Sequence, residues 1–178
     1  MPVLTECIWS RTGCYTWSEV YDHSCRYAQL YISHGIRPRE LVSIYMQNSP
    51  ELIFATLGSW AVGSAPAYIN YNLAGDALIH CLKVSGAKLV MVDAEDTCRA
   101  RIEESRDRIE SELGMRVIIL DETVKIDMAA TPPERPDDAC RMDITPDFPM
   151  ALYYTRFVIA HLLASSCTHA VLILSVYG

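Results

Sequence analysis

The sequence predicts an α/β fold with a largely parallel sheet flanked by helices. Two observations carry that prediction. Near-continuous apolar runs such as Lys88–Asp93 and Arg116–Asp121 alternate with amphipathic segments of helical period. Strands buried on both faces and joined through helices are the signature of βαβ units. The composition agrees: of 178 residues, 51% are apolar and 21% charged, enough to bury a sizeable core and too apolar for disorder.

In chain order, residues 5–16 read as a short hairpin turning at Thr12-Gly13. Thr16, followed three residues later by Glu19, is a capping box that opens a helix. Val20, Ala28 and Tyr31 share one face of it, and Gly35 is its natural stop. A β-rich run follows from Glu40 to Gln47. Ser49 and Pro50 then suit the N-cap and first position of a second helix that closes near Gly63. Ser64–Ile69 reads as a strand, Ala74–Gly86 as a helix and Lys88–Asp93 as a strand. Glu95–Gly114 is the clearest amphipathic helix, with Ile102, Ile109 and Leu113 on one side and Glu104 and Arg108 spaced as an ion pair. Arg116–Asp121 is another buried strand. Residues 130–147 carry four prolines and several acids, and read as a solvated loop. Met150–Thr155 resumes as a strand.

A net charge of −7 argues against a nucleic-acid surface. Seven cysteines, an odd number with no C-x-x-C pair and no zinc spacing, indicate reduced structural thiols, an intracellular protein and no metal site. Glu6 and Arg11 interrupt any apolar signal sequence. No nucleotide-binding or nucleophile-elbow motif occurs before residue 155. His80 and Cys81 are helical neighbours about 100° apart and cannot face each other, and His23 and Cys25 fail likewise. The doublets Glu103-Glu104 and Asp137-Asp138 read as solvated surface. Asn70 and Asn72 flank a tyrosine just after an apolar strand. In an open parallel sheet that is where ligands collect, but turn and N-cap hydrogen bonds account for them equally and are the favoured reading.

Three stretches carry a family resemblance. Residues 15–51 and, more specifically, 57–93 with "INYNLAGDALIHCLKVSGAK" resemble the first two core motifs of the AMP-forming acyl-CoA synthetases. "PMALYYT" resembles the strand that enters the third. The second stretch is most similar to the fatty acid transport protein, or very-long-chain acyl-CoA synthetase, branch. The resemblance implies the N-terminal subdomain of the adenylate-forming fold, present in part over residues 1–155. It implies activation of a long- or very-long-chain fatty acid by ATP to an acyl-adenylate, then transfer to CoA, with Mg²⁺ assisting. It also implies a peroxisomal, endoplasmic-reticulum or lipid-droplet membrane setting and peripheral membrane association.

Thr155 matches the first residue of the family's T-S-G-T-T-G-x-P-K phosphate loop. The next residues are Arg156-Phe157-Val158-Ile159-Ala160, and no glycine occurs between Gly114 and Gly178. The later adenine, ribose and hinge regions, the C-terminal domain and the N-terminal membrane segment of the family find no match. The expectation is therefore a truncated, catalytically incompetent chain that binds none of these cofactors productively. The alternative is a non-catalytic interaction module that associates with a full-length synthetase or a membrane, and exposed truncated surfaces also favour self-association. Residues 156–178 form an apolar tail outside the family pattern. Foreign sequence such as translated intron is the favoured account. A membrane helix over 157–178, or a helix or strand pair finishing the core, are the others.

Overall fold

The computed structural model describes residues 7–9, 14–155 and 171–175. A small antiparallel hairpin comes first: β1 (Cys7–Trp9) pairs with β2 (Cys14–Thr16), Ile8 opposite Tyr15. The expected turn at Thr12-Gly13 lies outside the described residues. Helix α1 (Trp17–Ser33) starts at the predicted capping box: the Glu19 N–H donates to Thr16 Oγ1, and the Thr16 N–H to the Glu19 carboxylate. Strand β3 (Leu41–Tyr45) leads to α2 (Pro50–Ala61), capped by Ser49 Oγ, which accepts from the Leu52 N–H. Then follow β4 (Ala65–Tyr68), α3 (Gly75–Ser85), β5 (Leu89–Val92), α4 (Asp96–Ser111) and β6 (Arg116–Ile119). Helices α5 (Glu122–Ala130) and α6 (Ala139–Met142) precede β7 (Ala151–Thr155) and β8 (Val171–Ser175).

The main sheet is parallel throughout, in the order β6-β5-β3-β4-β7-β8. Its strands alternate strictly between two cores. Val42, Ile44, Leu89, Met91 and Ile118 point to one face, where they meet Tyr27, Tyr31, Phe54 and Ala55 from α1 and α2 and Met128 from α5. Tyr45, Val90 and Val92 point to the other, against Leu78 and Leu82 of α3 and Ile102 and Ile109 of α4. Period two is what a pleated strand imposes, so runs that looked uniformly apolar divide between two layers of helix.

The structure departs from the sequence reading in three places. Arg108 does not pair with Glu104. Its guanidinium contacts Asp76 at 2.8 Å and Glu112 at 3.4 Å, because the packing of α3 against α4 supplies a better placed carboxylate. Residues 122–130 are helical, with the Asp121 side chain accepting from the Val124 N–H as N-cap. The expected loop over 130–147 contains α6 and, although largely exposed, is tied down at many points. In the tail, residues 171–175 form a strand beside β7, so of the accounts given for it a single helix over 157–178 is not formed. The run Val171-Leu172-Ile173-Leu174 has the apolar, partly β-branched composition that strands favour. Among the described residues no helix is long and apolar enough to cross a membrane.

Candidate functional site

The chain leaves β3 for α2 on one face and reaches β4; it leaves β4 for α3 on the other face and returns past β3 to β5. The reversal of strand order therefore falls between β3 and β5. A crevice lies beside it, at the carboxyl ends of β3, β4 and β7, the edge of the sheet where open α/β folds bind ligands. The crevice has a volume of about 530 Å³ and runs beneath α2, with Ile44 of β3 and Met46 just after it, Tyr68 of β4 and Ile69 just after it, Tyr153 of β7, and Leu57 and Trp60 of α2 in its walls. That size and its apolar lining are typical of small-molecule sites.

Few polar groups enter it. Thr56 Oγ1 donates to the Leu52 carbonyl, which leaves it to accept from the Tyr68 hydroxyl at 2.8 Å. Burial pushes the Tyr68 hydroxyl above its ordinary value. The Tyr68 and Tyr153 rings lie 5.0 Å apart, and Tyr153 is 44% exposed, so this wall is open to ligand. Trp60 Nε1 donates to the Met150 carbonyl at 2.8 Å and fixes the floor.

Asn70 stands at the mouth. Its Oδ1 accepts from the Asn72 N–H at 2.9 Å, and its carbonyl from the Leu73 N–H. Asn70 thus closes an Asx turn, and only its exposed edge faces the crevice. Asn72 is exposed and lies outside the lining. Neither caps α3, whose N-cap is Ala74 with no side-chain bond. The turn is held from both sides: Tyr45 OH donates to the Leu73 carbonyl and Arg101 Nη1 to the Tyr71 carbonyl. Asp93, at the end of β5, accepts from the Gln47 and Glu95 N–H groups. Asp93 is visible in the sequence as the end of a strand, but its partner Gln47 is 46 residues away.

Thr155 ends β7 at the same edge, its backbone in register with Ser175 of β8. Elsewhere the described residues hold no nucleophile–base pair. Cys81 and Cys25 are buried, while His80 is exposed and His23 is stacked on Phe54 at 4.6 Å. Among the described residues no group of three His, Cys, Asp or Glu side chains is placed to hold a metal ion. A larger cleft of about 700 Å³ follows β6 at the far edge of the sheet, away from the strand-end crevice. Its walls mix both charge signs, and Arg106 there is already engaged by Glu103 and Glu110.

The model of the AMP-binding enzyme family matches residues 2–155. The chain belongs to that family. Among curated relatives it is 37% identical over 115 residues to isopenicillin N epimerase component 1 of Hapsidospora chrysogena, covering 64% of this chain and 19% of the relative. It is 31% identical over 100 residues to the very long-chain fatty acid transport protein of Saccharomyces cerevisiae, covering 56% and 15%. With the bovine long-chain fatty acid transport protein 1 it shares 33% over 83 residues, covering 47% and 13%. The chain thus matches less than a fifth of the length of each. The family's architecture is recognisable in solved structures. The inhibitor-bound N-terminal domain of FACL13 from Mycobacterium tuberculosis superposes with a TM-score of 0.71 at 19% identity, over 84% of this chain and 36% of that one. A benzoate CoA ligase from Burkholderia xenovorans gives 0.64 at 21%, over 79% and 27%. These likenesses are of fold: helices on both faces of a parallel sheet, as in the N-terminal domain of adenylate-forming enzymes.

Proposed function

We propose that residues up to Thr155 are the first lobe of an AMP-forming acyl-CoA synthetase acting on long- or very-long-chain fatty acids, and that the 178-residue chain does not itself catalyse the reaction. The observation that carries the first half is the strand-end crevice, with β7 ending beside it in a member of the AMP-binding family. In this reading the carboxylate of the fatty acid attacks the α-phosphate of ATP, releases pyrophosphate and leaves an acyl-adenylate; CoA thiol then displaces AMP. Asn70 at the mouth and Thr155 at the strand end are the residues of this chain nearest that chemistry.

The second half rests on the residues after β7. Phosphate charge is held by backbone N–H groups, hydroxyls and a lysine gathered on a flexible, glycine-rich loop. Here Thr155 is followed by Arg156-Phe157-Val158-Ile159-Ala160. No lysine follows Lys125, and no glycine occurs between Gly114 and Gly178. Without that loop both positioning and charge stabilisation of the transferring group are lost. The same break supports reading residues 156–178 as foreign to the family. Sites for CoA and Mg²⁺ would belong to other parts of longer family members, as would the organelle membrane expected of the fatty acid transport branch.

Carboxylate-dependent exchange of labelled pyrophosphate into ATP tests this reading. The purified chain is expected to show none with fatty acids of any length. Exchange with a fatty acid would refute the inactivity. Exchange with isopenicillin N alone would move the substrate to the class named in the 37%-identical relative. A second reading, a non-catalytic module that docks on a full-length synthetase or on a second copy, is favoured by the half-exposed Tyr153 and Met150 beside β7. Co-purification with a full-length homologue, or a dimer by sedimentation, supports it; a monomer that captures no synthetase removes it.

A further inference from the structure

We propose that Arg39 is a positioning residue: it pins the connection that carries the chain into β7, and so sets the register of β7 and the place of Thr155 at the carboxyl edge. The relevance of Thr155 rests on the adenylating reading; the pinning of β7 stands without it.

Arg39 has φ +65°, the one non-glycine residue with positive φ among the described residues. That conformation is unfavourable for any side chain with a Cβ and free for glycine. A strained position held by a long cation points to work done by the side chain. Arg39 Nη1 donates to the Asp143 carbonyl at 3.1 Å and to Thr145 Oγ1 at 3.0 Å. Nη2 lies 3.6 Å from the Asp147 carboxylate, and the guanidinium sits 5.5 Å from the Phe148 ring centroid. One side chain therefore holds four residues of a single segment. Its own N–H donates to the Gly63 carbonyl at 2.8 Å, tying the same turn to the end of α2.

The same segment is gripped from the α2 side. Arg141 donates to the Ala61 carbonyl, and Trp60 to the Met150 carbonyl. Gly63 lies so close to the Cys140 carbonyl that no Cβ could be placed between them. Residues 140–150 are thus clamped at the amino edge of the sheet, up to the residue before β7. The strand itself meets β4 through a short register, Ala67 with Leu152 and Tyr68 with Tyr153. A slip of one residue would turn Tyr153, whose ring lies against Tyr68, and Tyr154, which packs against the opposite core, each to the other face of the sheet. So short a pairing leaves the approach of the chain to fix register. The Asp147 pair, 75% exposed on the acid, is worth little alone; the bonds to Asp143 and Thr145 carry the pin.

The test is residue-resolved hydrogen exchange on the whole chain with Arg39→Gly and Arg39→Lys. Glycine keeps the φ and removes the pin. In Arg39→Gly, amides of 140–154 should lose protection about tenfold, the loss of roughly 1.4 kcal/mol of local hydrogen bonding. Amides of α1, β3 and β5 should be unchanged, and the NMR contact between the Tyr68 and Tyr153 rings should weaken. Arg39→Lys keeps the charge without the fork and should restore protection in part. Gly63→Ala should loosen the same segment from the other side. Unchanged protection over 140–154 in Arg39→Gly, or an equal loss across α1, β3 and β5, would overturn the proposal. Pyrophosphate exchange bears only on the adenylating reading, and this protection pattern only on Arg39.

Discussion

Gly58 sits where α2 crosses α1, and its replacement by alanine sets two effects of opposite sign against each other. In an exposed helix the change is stabilising by about 0.8–1 kcal/mol, because alanine loses less backbone entropy. Here a Cβ would lie 2.7 Å from Tyr27 Cβ, 2.9 Å from the Ser24 carbonyl and 3.0 Å from the Ala28 nitrogen. All three belong to α1 and are fixed by its backbone, so no rotamer change relieves the contact. The helices must move apart by several tenths of an ångström. That loosens the contact around Tyr31, which is fully buried and donates its hydroxyl to the Ala55 carbonyl at 3.0 Å. Overpacking of this kind costs about 1–3 kcal/mol and more where backbone must shift, and a stretched buried hydrogen bond adds about 1 kcal/mol. Overpacking exceeds propensity, and the net expectation is a loss of about 2 kcal/mol. With a urea m-value of about 2 kcal/mol/M, the midpoint of Gly58→Ala should fall by about 1 M. An unchanged or higher midpoint, with the m-value preserved, would show that the α1–α2 contact is not as tight as this.

Other outcomes follow from single side chains. Thr16→Ala removes the cap of α1 and should cost about 1 kcal/mol at pH 7. The Glu19 carboxyl is held below its usual range first by the Thr16 N–H and then by its hydroxyl. Its share of stability is therefore present above the unfolded value near pH 4.3 and is lost as pH falls through the lower folded value. The gap between wild type and Thr16→Ala should accordingly narrow between pH 7 and pH 3, and a gap constant with pH would contradict the reciprocal cap. Burial, reinforced by Glu95, pushes the Cys98 thiol up to about 11. At pH 8 the native chain should label at the half-exposed Cys140 and not at the fully buried Cys98, and equal labelling rates would be inconsistent with that core. Because the raised thiol keeps its proton in the fold, stability should also decline above about pH 8.5, where the unfolded thiol ionises first.

The elements and their ends were legible because their signals are local. Thr16 with Glu19, Ser49 with Pro50, and Gly86 with φ +63° at the end of α3 each act within a few residues. A cap needs only its own turn. The helix over 122–130 carries little sequence signal because its apolar face is weak: only Met128 is buried. Spacing along one helix points Arg108 to Glu104 and cannot show Asp76 on another.

By itself the sequence determined the class of fold, the caps and breaks of most elements, the alternating helices and strands, and the family, since each is written in short-range pattern or in a continuous motif. Only the tertiary structure decided the strand order, which puts β4 between β3 and β7 and so brings their carboxyl ends together around the crevice. It also decided that Asn70 spends its side chain on its own turn, and that Arg39 grips a segment about a hundred residues later. The physical reason is one of range. Periodicity and capping depend on neighbours a few residues apart, whereas a strand's place and a cation's partner depend on which distant segments pack together.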